Sequence, residues 1–164
     1  SQLDILKAST SKLISNDAID LSLLITDNFN MDTLTAPMEM FARADLLRYR
    51  NRLDEALSTL DSLSLAYPGH TLEDEMLLIR ADIAVQRGQF DVAIRHYEDI
   101  VDLYAMDILA DDALFGLAEL HEEQLDDDAT AQALYERLLT EYPGSLYVVE
   151  ARKRFRRLRG DVLE

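Results

Sequence analysis

The sequence predicts an all-α protein, a short solenoid of helical repeats. The first observation is an internal repeat, because Ala44, Ala81 and Ala118 follow one another at intervals of 37 residues and each precedes an acidic residue. The second is helical periodicity, since apolar residues recur at every third or fourth position on both sides of Gly88. Such repeats are typical of stacked helix pairs, because one pair alone cannot bury its apolar face.

The periodicity predicts about nine helices in a single domain over residues 1–164. The predicted helices are 2–14, 17–28, 37–50, 53–66, 72–87, 90–104, 109–123, 128–141 and 145–159. They group into a divergent helical pair at 2–36, repeat hairpins at 37–70, 74–105 and 109–144, and a C-terminal capping helix at 145–159.

The N-terminal elements are justified by local similarity and by residues that suit a helix start. The run at 17–20, Asp-Ala-Ile-Asp, resembles the run at 54–57, Asp-Glu-Ala-Leu, which indicates a divergent repeat. Thr35 and Pro37 suit the start of the next helix, because threonine caps a helix N-terminus and proline fits its first turn.

Turn and stop residues justify the later elements. Asn51 and Gly88 stand between the helices of two hairpins, where the backbone needs a residue that tolerates positive φ. Pro68 and Pro143 follow helix ends, where proline stops the helix without removing a needed hydrogen bond. The last helix has no partner after it, and its apolar residues on one side are Val148, Ala151, Phe155 and Leu158.

The charge of the chain is acidic and unevenly distributed, with a net charge of −16. Residues 1–151 hold 10 basic and 30 acidic residues, whereas residues 152–164 hold six basic and two acidic ones. An acidic body lacks the basic stripe that neutralises phosphates, so we expect no nucleic-acid binding. The sequence has no cysteine and no apolar run long enough to span a membrane. It begins at Ser1, and we interpret it as a processed piece of a longer protein.

The repeats resemble the tetratricopeptide repeat (TPR) family, in which two small residues and a proline are spaced by about 12 residues each. The middle repeat matches at Ala81, Ala93 and the aromatic Tyr97, whereas its proline position holds Ala105. Further matches are Ala56, Pro68, Ala131, Tyr135 and Pro143. The resemblance implies a right-handed α-α superhelix, a TPR-like solenoid with a concave face.

The repeat length and the junctions suggest a branch of this family. The period is 37 residues, against about 34 in the family, and the junctions at 67–69 and 142–144 read Tyr-Pro-Gly. In these respects the chain resembles the bacterial cell-envelope branch, including outer-membrane-lipoprotein and Tol-Pal-associated proteins. The resemblance therefore favours the bacterial periplasm or cell envelope over the cytoplasm.

The resemblance also implies a candidate binding site. In the family, the position after the first small residue faces the concave groove, and here it holds Asp45, Asp82 and Glu119. The other candidates on this face are Arg48, Tyr49, Gln86, Glu122 and Glu123. An acidic groove would bind a protein or peptide that is cationic or rich in hydrogen-bond donors. The alternative is that these acids pair with neighbouring arginines or solvate the surface.

A run of cations near the C-terminus forms a second candidate surface, a basic patch. Its residues are Arg152, Lys153, Arg156, Arg157 and Arg159, and Arg154 lies within the same run. The patch could dock an acidic partner or an anionic headgroup. The alternative is the polar outer face of a capping helix, whose last-turn cations also suit the helix dipole.

The sequence carries no recognisable catalytic or metal-binding motif. His70, His96 and His121 are not spaced to ligate one metal, so we interpret them as surface residues. The acids at 126–128 lack the glycine of a calcium loop and more simply cap the helix that begins near Asp128. We therefore predict no enzyme, no cofactor and no metal site.

The predicted function is that of a non-catalytic protein–protein interaction scaffold, with the partner bound on the concave face. The alternative is a structural C-terminal cap of a longer repeat protein, whose recognition or enzymatic activity lies in the sequence upstream. The oligomeric state is open, with a monomer favoured.

Overall fold

The computed structural model describes residues 35–162, which form helices joined by short loops. Seven helices lie there: α1 Thr35–Tyr49, α2 Leu53–Ala66, α3 Glu73–Gln86, α4 Phe90–Leu103, α5 Ala110–Glu123, α6 Asp128–Glu141 and α7 Val148–Leu158. These residues contain no strand, which confirms the predicted all-α class of helical repeat. The predicted helices at 2–14 and 17–28 lie outside the described residues, so the observed count is seven and not nine.

The chain divides into two compact units, which are described separately. Unit 1 spans residues 1–73 and contributes α1 and α2, whereas unit 2 spans residues 74–164 and holds α4 to α7 with nearly all of α3. The single domain predicted over 1–164 and its internal divisions stay predictions.

In unit 1, α1 and α2 pack against each other as a hairpin. Asn51 takes a left-handed backbone conformation, with a φ of 60°, at the turn between the two helices, as its type and place predicted. Ala44 and Ala56 are fully buried, and their small side chains let the helices approach closely. Leu60 and Leu63 fill the space beside them.

In unit 2, the helices pack around one apolar core. The alanines of the repeat pattern, Ala81, Ala93, Ala118 and Ala131, are fully buried in it. Tyr97 and Tyr135 are buried beside these alanines, which confirms the predicted phase of the repeat. Gly88 and Asp126 both have positive φ, at 70° and 51°, so an aspartate takes the left-handed turn position in the longer third turn.

The tyrosines that recur near the repeat junctions end the second helix of each repeat. Tyr67, Tyr104 and Tyr142 are the C-cap residues of α2, α4 and α6. The backbone N–H of each donates a hydrogen bond to a carbonyl oxygen four residues earlier, on Leu63, Ile100 and Leu138. The same residue type therefore ends the second helix of the repeat three times.

The start of the last helix differs from the prediction. The sequence placed it at residue 145, whereas α7 begins at Val148. Ser145 takes part in a local turn instead, because its backbone N–H donates to the Tyr142 carbonyl at 3.0 Å and its hydroxyl oxygen accepts from the Tyr147 N–H at 3.1 Å. These bonds compete with helical ones, so the helix starts one turn later.

Replacing Ala93 with leucine is expected to lower the free energy of unfolding by about 1–3 kcal/mol, because the added atoms overpack a fully buried crossing point. The matched control is Ala133→Leu on α6, where the side chain is exposed and leucine is almost as good a helix former as alanine. Thermal unfolding followed by circular dichroism compares the two variants. Equal melting temperatures would contradict the assigned phase of the core.

Candidate functional site

Four carboxylates of unit 2 converge on one arginine. The carboxylate cluster is defined as Glu119, Glu122 and Glu123 on α5 with Glu150 on α7. Each of the four carboxylates forms an ion pair with the guanidinium of Arg154. The N–O distances are 3.1 Å for Glu119, 3.2 Å for Glu122, 2.8 Å for Glu123 and 3.0 Å for Glu150. The spacing of the three α5 acids places them on one helix face, which explains how a single cation reaches all of them.

Arg154 is fixed from several sides. Its side chain is only 15% exposed, and its guanidinium carbon lies 5.7 Å from the centroid of the Phe115 ring. Its Nη1 also donates to the hydroxyl oxygen of Tyr135 at 3.3 Å. Burial alone would lower the pKa of Arg154, but hydrogen bonds to Glu150, Glu123 and Tyr135 raise it well above the ordinary value. The guanidinium is therefore a permanent charge at the centre of the cluster.

Three tyrosine hydroxyls donate to carboxylates on a neighbouring helix. Tyr97 donates to Asp82 at 3.2 Å and Tyr135 to Glu122 at 2.7 Å. The Tyr147 hydroxyl donates to Asp112 on α5 at 2.6 Å. The Tyr147 ring stacks on the Phe115 ring, with the two centroids 4.4 Å apart. Burial and the adjacent carboxylate raise the pKa of each hydroxyl, so all three remain hydrogen-bond donors.

Two residues of the predicted acidic row, Asp82 and Glu119, both act on the hydroxyl of Tyr97. Asp82 on α3 accepts from Tyr97, and the charges of Asp82 and Glu119 both raise the pKa of that tyrosine after burial itself. Gln86 is exposed one turn beyond Asp82 on the same helix. In unit 2, we define the acidic face as the carboxylate cluster together with Asp82 and Gln86.

The carboxylates of the cluster differ in their titration. Burial raises the pKa of Glu119 above its ordinary value, in spite of the opposing charge of Arg154. Burial also pushes up the pKa of Glu122, but hydrogen bonds from Tyr135, Arg157 and Arg154 outweigh it and lower the pKa below the ordinary value. Glu122, whose side chain is 9% exposed, therefore keeps its negative charge at neutral pH.

The candidates in unit 1 are arranged differently. Arg48 donates to the Oδ1 of Asp45 through both Nε at 2.9 Å and Nη2 at 2.7 Å, so this acid is neutralised by its own helix. Tyr49 is exposed at the end of α1. Asp45 belongs to unit 1, whereas Asp82 and Glu119 belong to unit 2, and a row that joins all three stays a prediction.

The structure gives the residues of the predicted basic patch different partners. Arg157 donates to Glu122 and so belongs to the carboxylate cluster. Arg156 and Arg159 both lie against Asp161, the former at 3.6 Å. Arg152 and Lys153 are exposed on α7 and make no ion pair with any described residue. The use of the patch as a docking surface stays a prediction.

Arg154 is the residue of this site that the sequence does not predict. It lies within the cationic run but outside the predicted basic patch, although the sequence contains a usable signal. It comes three residues after the buried Ala151 and four after Glu150, with which it forms an i,i+4 pair. A cation beside the apolar side of an amphipathic helix becomes partly buried when the helix packs. Acidic side chains of the protein must then neutralise it.

The histidines do not form a metal site among residues 35–162, where no group of three or more metal-ligating side chains is arranged to hold an ion. The surface interpretation is wrong for His70, which is buried in the loop after α2, where its Nδ1 accepts from the backbone N–H of Leu72 at 3.2 Å. His121 lies 3.1 Å from Asp127. Asp127 also caps α6 by accepting from the Thr130 N–H at 3.2 Å, which confirms the capping role predicted for this run of acids.

None of the helices in the described residues is both long and apolar enough to cross a membrane.

Curated proteins include no match to this sequence. A family model described as tetratricopeptide repeat matches residues 41–105 and 78–145, which together cover more than half of the chain. This confirms the resemblance seen in the spacing of the alanines and prolines. The chain belongs to the tetratricopeptide repeat family.

Proposed function

We propose that the chain is a non-catalytic scaffold that binds a cationic helical segment of a partner protein on the acidic face of unit 2. Tetratricopeptide repeats are generally protein-interaction scaffolds and are typically not catalytic. All residues of the acidic face except Glu150 are ones that the family resemblance predicted on the concave face. The choice of a cationic partner rests on the chemistry of that face.

The observation that carries the proposal is the binding of Arg154 itself. The carboxylate cluster holds a guanidinium that is presented by an α-helix, with four carboxylates at 2.8 to 3.2 Å. Charge-assisted hydrogen bonds of this kind are stronger than neutral ones, and arginine suits them because its donors form a planar fork. The face is thus built to recognise an arginine on a helix, and α7 demonstrates the geometry.

The cluster also keeps negative charge and accessible oxygen atoms for a partner. Its four carboxylates face two guanidinium groups, those of Arg154 and Arg157, so negative charge is in excess. Glu123 and Glu150 retain about half of their side-chain exposure, at 51% and 45%. Asp82 adds a further carboxylate on α3. Excess charge on one face raises the encounter rate with cationic partners.

The predicted site residues of unit 1 are expected to contribute less to binding than the acidic face of unit 2. Arg48 neutralises Asp45, so that pair offers little net charge. Tyr49 is exposed and can contribute an aromatic contact of the kind that is enriched at protein interfaces.

A second candidate function is that of a structural cap, and the position of α7 favours it. Arg154 neutralises part of the acidic face from within the chain, and α7 covers the core around Phe115 and Tyr135. A terminal helix with a polar outer face is what a helical repeat needs to remain soluble. In that case the acids and arginines stabilise unit 2 and bind no partner.

The location in a bacterial cell envelope also stays a proposal. It is supported by the 37-residue period and by the Tyr-Pro-Gly junctions at 67–69 and 142–144.

The double variant Asp82→Asn with Glu119→Gln separates the two candidate functions. If the acidic face binds partners, an arginine-rich helical peptide is expected to bind the variant about five-fold more weakly, because two carboxylates that attract it are lost. Binding to the parent should also weaken between about 50 and 300 mM salt. Fluorescence anisotropy measures the affinity, and circular dichroism measures the melting temperature of the same preparation.

The control peptide carries glutamate in place of arginine and should not bind. An unchanged affinity for the arginine peptide would remove the acidic face as a binding site. A lower melting temperature with unchanged affinity would instead favour the structural cap.

A further inference from the structure

Glu122 binds different partners through its two carboxylate oxygens. Its Oε2 accepts from the Tyr135 hydroxyl at 2.7 Å and from Nη1 of Arg154 at 3.2 Å. Both donors are held in place by burial, since Tyr135 is fully buried and the Arg154 side chain is 15% exposed. Its Oε1 accepts from Nη2 of Arg157 instead. One oxygen is therefore bound by groups that are fixed in unit 2, and the other by Arg157.

Arg157 is held less firmly than Arg154. Its side chain is 51% exposed, and within residues 35–162 it forms an ion pair with Glu122 alone. Arg154, in contrast, contacts four carboxylates and lies against the Phe115 ring. An ion pair in which the cation is half exposed is weakened by solvent. Arg157 can therefore leave Glu122 at a lower cost than Arg154 could, and its long side chain can do so without any movement of α7.

The position that Arg157 occupies is close to a second, accessible carboxylate. Glu122 and Glu123 both accept from the same nitrogen of Arg154, Nη1, at 3.2 and 2.8 Å, so their carboxylates lie close together. The side chain of Glu123 is 51% exposed. A guanidinium that took the place of Arg157 on Glu122 would therefore lie near Glu123 as well. Arginine suits such a pair of carboxylates because its donors form a planar fork.

We propose that Glu122 is the carboxylate that binds an arginine of the partner's helix, and that Arg157 occupies its Oε1 as an internal competitor until the partner binds. This role of Glu122 rests on the proposed function, because it concerns the cationic helix that the acidic face is proposed to bind. The partner's arginine displaces the side chain of Arg157, whereas Arg154 stays in place and continues to hold the cluster. The affinity for the partner therefore rises when Arg157 no longer occupies Glu122.

The test compares Arg157→Gln with the matched control Lys153→Gln in the full chain, with the arginine-rich helical peptide as the probe. Both variants remove one positive charge from α7, and Lys153 lies one turn before Arg157 on the same side of the helix. Lys153 is exposed and makes no ion pair with a described residue. A hydrogen bond from Arg154 lowers the pKa of Glu150, and the charges of Lys153 and Arg157 also lower it, so both charges act on the acidic face.

Arg157→Gln is expected to bind the peptide about five-fold more tightly than the parent does, because the peptide no longer competes with a bound arginine. Lys153→Gln is expected to bind at most about two-fold more tightly, since it removes only a charge that solvent screens. Fluorescence anisotropy measures the Kd of each variant. Circular dichroism measures the melting temperatures, which should stay close to that of the parent because both side chains are exposed.

A second comparison places Arg157→Gln in the background of Glu122→Gln. The single variant Glu122→Gln should bind the peptide more weakly than the parent, because the carboxylate that receives the peptide's arginine is lost. In this background Arg157 has no carboxylate to occupy, so its replacement should change the Kd no more than Lys153→Gln does. Such non-additivity identifies Glu122 as the group for which Arg157 and the peptide compete.

Equal gains in affinity for Arg157→Gln and Lys153→Gln would overturn the inference, since the effect would then be that of charge alone. A lower melting temperature of Arg157→Gln, with no gain in affinity beyond that of the control, would overturn it too and leave the ion pair a structural role. Both outcomes keep the proposed function if Asp82→Asn with Glu119→Gln still weakens binding. A peptide that binds neither the parent nor Arg157→Gln would remove the acidic face as a binding site, and the inference with it.

Discussion

Deletion of residues 145–164 is expected to lower the free energy of unfolding of unit 2 by roughly 5 kcal/mol or more, and to cause aggregation. The deletion removes the fully buried Ala151 and the stacking of Tyr147 on Phe115. It also uncovers Tyr135 and other core side chains on which α7 packs. Each large apolar side chain that becomes exposed contributes about 1.5–3 kcal/mol, so a few of them account for the expected loss.

Circular dichroism on heating and size-exclusion chromatography check this expectation. The matched control ends the chain after Gly160, which removes four residues and leaves every core contact of α7 in place. The control should unfold within a few degrees of the parent. A deletion variant as soluble and stable as the control would show that α7 contributes little to unit 2.

Replacing Arg154 with methionine is expected to lower the free energy of unfolding by about 2–3 kcal/mol. Removing one partner of a fully buried charge pair costs about 3–5 kcal/mol, and the expected loss is smaller here because Glu123 and Glu150 remain half exposed to water. The methionine retains much of the apolar contact of the arginine stem, so the loss reports mainly on charge. Chemical denaturation at neutral pH measures it.

Arg152→Met is the matched control, because Arg152 lies on the same helix, is exposed and makes no ion pair with a described residue. The difference in free energy of unfolding between the two variants should become smaller as the pH falls through the carboxylate pKa values. The pKa of Glu122 is lowered in the folded protein, so its contribution is present above the unfolded pKa and is lost on acidification. Equal stability of the two variants at neutral pH would contradict the central role of Arg154.

The helices and the core alanines could be predicted because they depend on sequence-local rules. Helical periodicity and the 37-residue spacing placed Ala81 and Ala93 in the core, where both are fully buried. Turn chemistry placed Asn51 and Gly88 at positive φ. The start of α7 could not be placed as well, because the hydrogen bonds that Ser145 forms compete with those of a first helical turn.

The charge pairing of the candidate site could be predicted only where it is local. The pair of Arg48 with Asp45 follows from their i,i+3 spacing on one helix. The contacts of Arg154 with Glu119, Glu122 and Glu123 join residues more than 30 positions apart, and they exist only because α7 docks beside α5 and α6. The sequence shows which residues are charged, but which of them form ion pairs depends on how the helices pack.

The order of the helix contacts has a consequence for how unit 2 folds. The pairs with extensive contacts include α4 with α5, α5 with α6, and α6 with α7, each of them consecutive in the chain. Folding can therefore begin at one hairpin and grow by adding the next helix, without closing a long loop first. Unfolding can proceed from an end in the same stepwise way. Among the described helices of unit 2, α5 packs against both α4 and α6, so we expect it to be among the last to separate.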